Sequence, residues 1–312
     1  MGLDRTLSDV LNAKSTALNG RVFLRVWMLS LIWVLGHMGT WACGETVKSV
    51  VQISGDVNEP SGLVLSRKYA GVYWTHEDKG QSNHLFAIDS EGHLLAEIAV
   101  SGAKNVDWED IATDGAGNLY IADVGNNDND RTDLLVYQVA EPDPYATSPS
   151  ARVTRRIRFV YPDQTRLPDP DAMNFDAEAI FWADETLYLL TKHRSDTFTT
   201  LYRFPDLTST DVITLEKMGS FDVGYDPVHD GGKVTAADLS SDGNHLAVLA
   251  YHAIFVFERP TVTGEWLTQL LSQTSLEQDT VKQCEGFTWD GTTGVILNED
   301  GEMRRIDGLV QP

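Results

Sequence analysis

Beyond residue 50 the chain alternates short apolar runs with polar turns. The runs are about four to seven residues long and rich in Val, Ile, Leu, Tyr and Phe, whereas Gly, Asp and Asn stand between them. Segment 118–123, with the sequence NLYIAD, is typical. Apolar positions keep a helical period for no more than about two turns anywhere in this region. Because β-branched and aromatic residues favour extended backbone, the pattern predicts an all-β protein.

The apolar runs recur in a fixed order, which defines five similar units. Each unit has a polar start, an apolar run, a turn, a second apolar run, a polar loop and a third run of alternating character. A fourth, outer strand can follow the third run in the first four units. The units span residues 60–89, 108–137, 177–204, 236–257 and 284–306, and the outer strands are predicted at 94–100, 152–160, 212–221 and 266–271.

Four-stranded units at this spacing predict a β-propeller, in which each unit forms one blade of a ring. The last unit stops soon after its third strand, while the apolar segment 47–53 precedes the first unit and has no other role. We therefore expect this N-terminal strand to join the last blade and close the ring, which removes exposed sheet edges. Five blades are predicted, and six stay open because 138–176 and 205–233 are long enough to contain a further unit.

The first 42 residues differ from the rest and predict a signal peptide or a membrane anchor. Residues 22–38 are an apolar run that Arg25 interrupts, Arg21 precedes the run, and small residues follow it. Residues 43–312 then form a single propeller domain. We expect an exported protein of the periplasm or the outer cell envelope.

Cys43 directly follows Ala42 at the end of this segment and is one of two cysteines in the chain. Its position favours a lipid on the Cys43 thiol, which would anchor the protein to a membrane. Ordinary cleavage after Ala42 is the alternative. A disulfide between Cys43 and Cys284 is a further alternative, since oxidising compartments permit one.

The formal net charge of −22 restricts the partners. An acidic surface repels nucleic acid and anionic membranes. We therefore expect no nucleic-acid partner, and membrane contact only through the N-terminal segment or its lipid. A cation, a small molecule, a carbohydrate or an envelope protein suits this surface better, although solubility alone also explains the charge.

Carboxylates recur where the first strand of a unit begins. Alignment of the units brings one residue of each to the mouth of the central channel, namely Ser61, Glu109, Glu178, Ala237 and Glu285. Like charges so placed are costly unless a cation compensates them. Ca²⁺ binds carboxylate and amide oxygens, so the predicted metal ligands are Glu109, Glu178, Glu285, Asn126 and Asn127. The alternative is that the glutamates accept backbone hydrogen bonds and hold neighbouring blades together.

Other polar residues are predicted around the same mouth. The segment 123–131 is dense in Asp, Asn and Gly, and it favours either a ligand-binding loop or a tight turn in which Asn and Gly adopt positive φ. Arg131 pairs either with a glutamate of the mouth or with an anionic substrate. Asp110 and Asp238 each follow an aligned mouth position by one residue. The predicted ligand-binding residues are Ser61, His76, Asp110, Asp123, Arg131, Arg194 and His252.

His193 and Lys192 are the candidate catalytic residues. Three histidines, His76, His193 and His252, come just after the second strand of their units, where an imidazole could act as a general base. Lys192 and Arg194 flank His193 in a basic cluster that either binds a phosphate or a carboxylate or balances the acidic residues around the mouth. A structural hydrogen-bonding role is the alternative for each histidine.

The segments that carry these residues resemble a group of uncharacterised, exported bacterial β-propeller proteins. The resemblance rests on WEDIA at 108–112, GNLYIADVGNN at 117–127, FDAEAI at 175–180 and VTAADLS at 234–240, and it covers about residues 55–305. More distantly, the layout is similar to phytase-like esterase, gluconolactonase-type and calcium-activated nucleotidase propellers. These relatives imply Ca²⁺ at the channel mouth, bound by Glu109, Glu178 and Glu285. Ser61 and Ala237 depart from the pattern, because they leave two blades without a carboxylate.

Two functions follow from these features. The first is an envelope-associated module that binds a ligand or a protein, with a calcium site at the channel mouth. The alternative is a calcium-dependent hydrolase of phosphoesters, esters or lactones. A propeller fold does not decide between them, since the same architecture serves enzymes and binding proteins.

Overall fold

The computed structural model describes residues 47–168, 170–225 and 233–310, which are built almost entirely from β-strands. The strands are β1 (Val47–Gln52), β2 (Pro60–Leu65), β3 (Val72–Glu77), β4 (His84–Asp89), β5 (Leu94–Ser101), β6 (Trp108–Thr113), β7 (Asn118–Asp123), β8 (Leu135–Ala140), β9 (Ala151–Val160), β10 (Ala177–Ala183), β11 (Thr186–Thr191), β12 (Phe198–Arg203), β13 (Ile213–Thr214), β14 (Glu216–Asp222), β15 (Val234–Leu239), β16 (His245–Ala250), β17 (Ala253–Glu258), β18 (Leu270–Ser275), β19 (Cys284–Asp290), β20 (Thr293–Asn298) and β21 (Glu302–Ile306). A four-residue helix, α1 (Gln278–Val281), precedes β19.

The strands pair antiparallel in groups of four, which we call meanders 1 to 5. Meander 1 is β2–β5, meander 2 is β6–β9, meander 3 is β10, β11, β12 and β14, meander 4 is β15–β18, and meander 5 is β19–β21 followed by β1. Two short parallel pairings connect the outer strands, because β9 pairs with β5 at one end and with β13 at the other. β1 pairs antiparallel with β21, so the first described strand belongs to the last meander.

The predicted all-β fold is confirmed, and the first three strands of every unit lie where the pattern predicts them. β5 and β9 also match the predicted outer strands. The predicted strand 212–221 is instead divided into β13, which pairs with β9, and β14, which completes meander 3. The prediction for 266–271 was wrong at its start, because Trp266 is fully buried and the strand begins at Leu270.

The hydrophobic core lies between the sheets of successive meanders. The first strand of each meander, its inner strand, packs against two others in the order β2, β6, β10, β15, β19 and back to β2. One apolar cluster fills the space between each pair of successive meanders. Between meanders 1 and 2, for example, Trp74 and Trp108 are both fully buried. The first three strands of each meander are therefore mostly buried on both faces, which explains why they are largely apolar on both sides. The outer strands β5, β9, β14 and β18 are partly exposed.

Every inner strand has a β-bulge near its first residue. In β6, Trp108 pairs with Asp123 and Asp110 pairs with Ala122, so Glu109 has no partner across the ladder. The same shift leaves Glu178, Thr235 and Glu285 unpaired in β10, β15 and β19. In β2 the shift follows Ser61, at Gly62, whose φ of +67° suits glycine. A bulge turns its extra residue out of the ladder, which places these side chains at one end of the inner strands.

Two aspartates, the buried Asp110 and the half-buried Asp238, connect neighbouring meanders. Asp110 Oδ2 accepts a hydrogen bond from Ile180 N of meander 3 at 2.9 Å. Asp238 Oδ2 accepts from Thr288 Oγ1 at 2.8 Å and from Trp289 N at 2.9 Å, both in meander 5. The sequence suggested, as one alternative, that the mouth glutamates accept backbone hydrogen bonds and hold neighbouring blades together. In the structure these two aspartates make such bonds.

We predict that Asp238→Ala lowers the free energy of unfolding by about 2 to 4 kcal/mol, because it leaves two buried donors without an acceptor. Urea denaturation followed by tryptophan fluorescence measures the loss. Asp211→Ala is the matched control, since Asp211 is exposed and the change should stay within about 0.5 kcal/mol. Equal unfolding midpoints for the two variants would contradict the assigned role of Asp238.

Candidate functional site

A polar cavity of about 360 Å³ lies where the five inner strands begin. Every meander lines it with residues from the start of its inner strand and from the loop after its second strand, which is the geometry that the repeat predicts. In meander order the lining residues are Ser61, Asp78, Lys79, then Asp107, Glu109, Asn127, then Glu178, Lys192, Arg194, then Lys233, Tyr251, and finally Gln283, Glu285, Glu299.

The aligned mouth residues lie together at the cavity with one correction. Ser61, Glu109, Glu178 and Glu285 all line it. The alignment of Ala237 with them was wrong, because Val234 pairs with Ala250 and the second residue of β15 is Thr235. Thr235 Oγ1 donates to Cys284 O at 2.7 Å, as Ser61 Oγ donates to Glu109 O at 2.8 Å. The two residues without a carboxylate thus each bind the backbone of the next inner strand.

Asp110 and Asp238 are not equivalent to each other, contrary to the alignment. Asp110 is the third residue of β6, whereas Asp238 is the fifth residue of β15. The pairs Asp110-Ile111 and Asp238-Leu239 look alike, which suggested that the two aspartates occupy the same position. The bulge of β15 lies at Thr235, however, so Thr235 and not Ala237 is equivalent to Glu109. Asp110 is completely buried and does not line the cavity, so the structure places this predicted ligand-binding residue in the core.

The cavity lining is divided by charge. Its acidic half consists of residues from meanders 5, 1 and 2, namely Asp78, Asp107, Glu109, Glu285 and Glu299. Its basic half consists of residues from meanders 3 and 4, namely Lys192, Arg194 and Lys233. Glu178 lies between the halves and Lys79 lies within the acidic half. The carboxylates outnumber the cationic groups, so the site favours a positively charged ligand group or cation.

Three carboxylates of the acidic half form a cluster. Oxygen atoms of Asp78, Asp107 and Glu109 lie within 4.8 Å of one another. Lys79 Nζ donates to Asp107 Oδ2 at 2.7 Å, and the side chain of Lys79 is 56% exposed. Sequence reasoning proposed no role for Asp78 or Asp107. Asp107 precedes its strand by one residue, and a single Asp before a strand carries no signal of its own.

Glu109 and Glu178 are a buried pair of interacting carboxyl groups. Their carboxyl groups hydrogen-bond to each other, and burial, reinforced by the charge of Glu178, raises the pKa of Glu109 well above its ordinary range. Burial also raises the pKa of Glu178, but Lys192 opposes the rise, with its Nζ at 3.1 Å from Glu178 Oε1. Burial thus favours the protonated form of both carboxyl groups, more strongly for Glu109 than for Glu178, whose charged form Lys192 favours.

Glu285 and Glu299 form a second pair on the acidic half. Gln283 Nε2 donates to Glu285 Oε1 at 2.9 Å and also to Glu299 Oε1. Tyr251 OH donates to Glu285 Oε1 at 2.7 Å and accepts from Lys192 Nζ at 3.2 Å. Burial, followed by the charge of Glu285, raises the pKa of Glu299 to about 7. The hydroxyl group of Tyr251 thus links Lys192 of the basic half to Glu285 of the acidic half.

The segment 123–131 is held by its own hydrogen bonds. Arg131 Nη2 donates to Asp123 Oδ1 at 3.0 Å, and Arg131 Nη1 donates to Gly125 O at 2.7 Å. Asn126 Oδ1 accepts from Arg131 N, and Asn126 Nδ2 donates to Phe175 O. Asp123, Asn126 and Arg131 do not line the cavity, whereas Asn127 does and accepts from Arg194. Arg131 therefore pairs internally, with an aspartate of its own loop rather than with a glutamate of the mouth.

The three predicted histidines lie outside the cavity lining. His76 is completely buried, and burial lowers its pKa to about 4, so it is neutral at physiological pH. His193 Nδ1 lies 2.6 Å from Asp196 Oδ1 and His193 Nε2 lies 3.2 Å from Thr200 Oγ1, within meander 3. His252 Nε2 lies 2.9 Å from Val223 O. Of the predicted catalytic pair only Lys192 reaches the cavity.

Several predictions concern residues outside those that the structure describes. They are the signal peptide or anchor of residues 1–42 and the lipid or disulfide at Cys43. Cys284, the other member of the proposed disulfide, is buried with its Sγ near Val281 O. None of the helices within the described ranges has the length and hydropathy that a membrane crossing requires. Export and membrane attachment stay predictions.

Solved structures similar to the chain are β-propellers. The β-propeller domain of Cps50 (Swd1) from Myceliophteria thermophila is 12% identical, with 86% of this chain and 100% of that chain covered and a TM-score of 0.42. Aldose sugar dehydrogenase from Streptomyces coelicolor is 10% identical, with 85% and 99% covered and a TM-score of 0.46. Virginiamycin B lyase from Staphylococcus aureus is 13% identical, with 83% and 69% covered and a TM-score of 0.39. No protein-family model and no curated protein matches the chain. Likenesses this weak say nothing about its function.

We predict that the melting temperature rises as the pH falls from 8 to 5, partly through Glu299. The folded protein binds a proton at Glu299 with a pKa of about 7 against an ordinary 4.5, so this stabilisation is lost as the pH rises through that interval. Glu299→Gln should raise the melting temperature at pH 8 and reduce its change between pH 8 and pH 5. Differential scanning calorimetry measures both.

Glu302→Gln is the matched control with the opposite sign. Hydrogen bonds from Arg304 and Lys282 lower the pKa of Glu302 to about 2, so the charged form stabilises the fold at pH 8. This variant should melt at a lower temperature than the wild type at pH 8. If both variants shifted the melting temperature in the same direction, the assigned pKa of Glu299 would be wrong.

Proposed function

We propose that the chain is a β-propeller that binds a small polar ligand in the cavity at its channel mouth, together with a divalent cation. The observation that carries this proposal is the cavity lining, because charged and polar side chains from all five meanders converge on one space. Clefts of about 300 to 1,000 Å³ with a few convergent polar groups are the usual sites for small molecules.

The five-bladed ring is supported by the strand pairings. Inner strands contact each other in a circle from β2 to β19 and back to β2, and each gap between successive meanders has its own apolar cluster. Pairing of β1 with β21 supports closure by the N-terminal strand. The connections that suggested a sixth blade contribute β9 to meander 2, β13 beside β9, and β14 to meander 3.

The predicted calcium ligands do not fit a single cation. Glu178 is paired with Lys192, and Glu285 accepts hydrogen bonds from Tyr251 and Gln283. The side chain of Asn126 is used within its own loop. A calcium site built on all of these residues would first have to break those contacts.

The cluster of Asp78, Asp107 and Glu109 fits a cation better. It offers three carboxyl groups whose oxygen atoms lie within 4.8 Å of one another, and hard cations such as Ca²⁺ prefer oxygen ligands, so Glu109 would release its proton when a cation binds. Lys79, which now neutralises Asp107, has a long and largely exposed side chain that can move to solvent when a cation binds. Bound at this place, Ca²⁺ would supply a positive charge that attracts oxygen atoms of a ligand.

Binding is proposed in preference to hydrolysis because of where the predicted base lies. His193 is directed into meander 3 and is held by Asp196 and Thr200. Lys192 is held by Glu178 and Tyr251, and its positive charge suits an anionic group rather than proton abstraction. The structure therefore favours a role for Lys192 in binding.

We predict that Ca²⁺ stabilises the chelator-stripped protein. Binding to the folded state alone adds about 2.7 kcal/mol at one hundred times Kd, which is on the order of 5 to 10 °C in melting temperature for a protein of this size. Glu109→Gln should abolish most of the shift, because the amide supplies one weaker ligand in place of a carboxylate. Thermal melting at increasing Ca²⁺ concentration measures the shift in melting temperature for the wild-type protein and for Glu109→Gln.

Glu91→Gln is the control for calcium bound elsewhere on an acidic surface. Glu91 lies in an exposed cluster with Asp89 and His93, whose ligand atoms are also within 4.8 Å of one another. The calcium shift of this variant should equal that of the wild type. A shift that survives Glu109→Gln, or the lack of any shift at millimolar Ca²⁺, would refute the proposed cation site.

A further inference from the structure

The two charged halves of the cavity are joined through Tyr251 as well as through Glu178. Lys192 of meander 3 and Glu285 of meander 5 both bind the hydroxyl group of Tyr251, which lies between them in meander 4. The hydroxyl group accepts from Lys192 Nζ at 3.2 Å and donates to Glu285 Oε1 at 2.7 Å. A ligand in this part of the cavity therefore meets positive charge on one side and negative charge on the other.

The proposed cation occupies only part of the acidic half. Ca²⁺ at Asp78, Asp107 and Glu109 leaves the pair Glu285 and Glu299 without a cationic partner among the described cavity residues, apart from what Lys192 supplies through Tyr251. Gln283 Nε2 holds both carboxylates through hydrogen bonds, so they are close enough to bind one donor group together. An ammonium group has three N–H donors and suits such a pair.

Simple anions, simple cations and neutral sugars fit this space less well. An anion at the basic half would face the carboxylates of the acidic half, and a cation would face the basic half, each at a cost in a partly buried site. A sugar usually packs on an aromatic face, but Tyr251 is the aromatic residue of the described lining and Lys192 Nζ lies over its ring at 5.1 Å.

We propose that the ligand of the cavity is a small zwitterion of the amino-acid class, with its ammonium group against Glu285 and Glu299 and its carboxylate against the basic half. This inference rests on the proposed binding function and adds the chemical class of the ligand. The zwitterion compensates both halves at once and leaves the calcium cluster intact.

The test uses isothermal titration calorimetry with the calcium-loaded protein. The probes are α-amino acids, dipeptides and ω-amino acids of increasing chain length, each beside its N-acetyl derivative and its methyl ester. At least one zwitterion should bind, and either derivative should bind about tenfold more weakly or worse, because each lacks one charge. The chain length that binds best reports the distance between the halves.

Two variants separate the two ends of the ligand. Glu299→Gln should weaken the zwitterion and its methyl ester but leave the N-acetyl form unchanged, whereas Lys233→Met should weaken the zwitterion and the N-acetyl form. Asp211→Asn, at an exposed position, is the control for both. Circular dichroism of each variant confirms that the fold is retained.

The outcomes distinguish this inference from the binding function itself. If a derivative that lacks one charge binds as well as its parent, the cavity binds a ligand but the zwitterion is wrong. If no probe binds while Ca²⁺ still raises the melting temperature, the cation site stands and the inference is overturned. If neither Ca²⁺ nor any probe binds, the proposed function fails with it.

Discussion

The inner strands cannot be covered by water, because both of their faces are buried against neighbouring meanders. Their backbone and their polar side chains must therefore find partners in neighbouring meanders. Ser61 and Thr235 do so by donating to the backbone of the following inner strand, and Asp110 and Asp238 do so by accepting from it. The order of the meanders is thus fixed by hydrogen bonds at the centre of the molecule as well as by apolar packing at the sides.

The same constraint creates the candidate site. A bulge near the first residue of an inner strand turns one side chain out of the ladder, at the end where the strands converge. In three meanders that side chain is a glutamate, and Glu109, Glu178 and Glu285 consequently meet in one cavity. Their charges are too close to remain uncompensated, so Lys192 and Tyr251 stabilise Glu178 and Glu285, while burial raises the pKa of Glu109.

Much of the fold and part of the site could be predicted from the sequence. Period-two runs and turn residues locate the strands because those patterns follow from local geometry. The carboxylates of the mouth could be found because they repeat at one position of the unit. The register of β15 could not be predicted, because a bulge adds a residue without a sequence signal. Thr235, the residue at the aligned position, has no charge that would have marked it as equivalent to the glutamates. Asp78 and Asp107 were missed because their proximity to Glu109 depends on how meanders 1 and 2 are arranged in space.

The three predicted histidines lie outside the cavity lining for a related reason. His76, His193 and His252 share a position in the unit, but the loop after the second strand can direct a side chain to the cavity, back into its own meander or toward the preceding meander. Asp196 and Thr200 bind His193, and Val223 O binds His252, so both imidazoles turn away from the mouth. A lysine side chain is longer than a histidine side chain and only donates hydrogen bonds, so it pairs with the carboxylates of the mouth. Lys192 and Arg194, on either side of His193, both line the cavity, and both have Glu178 as an ionic neighbour there.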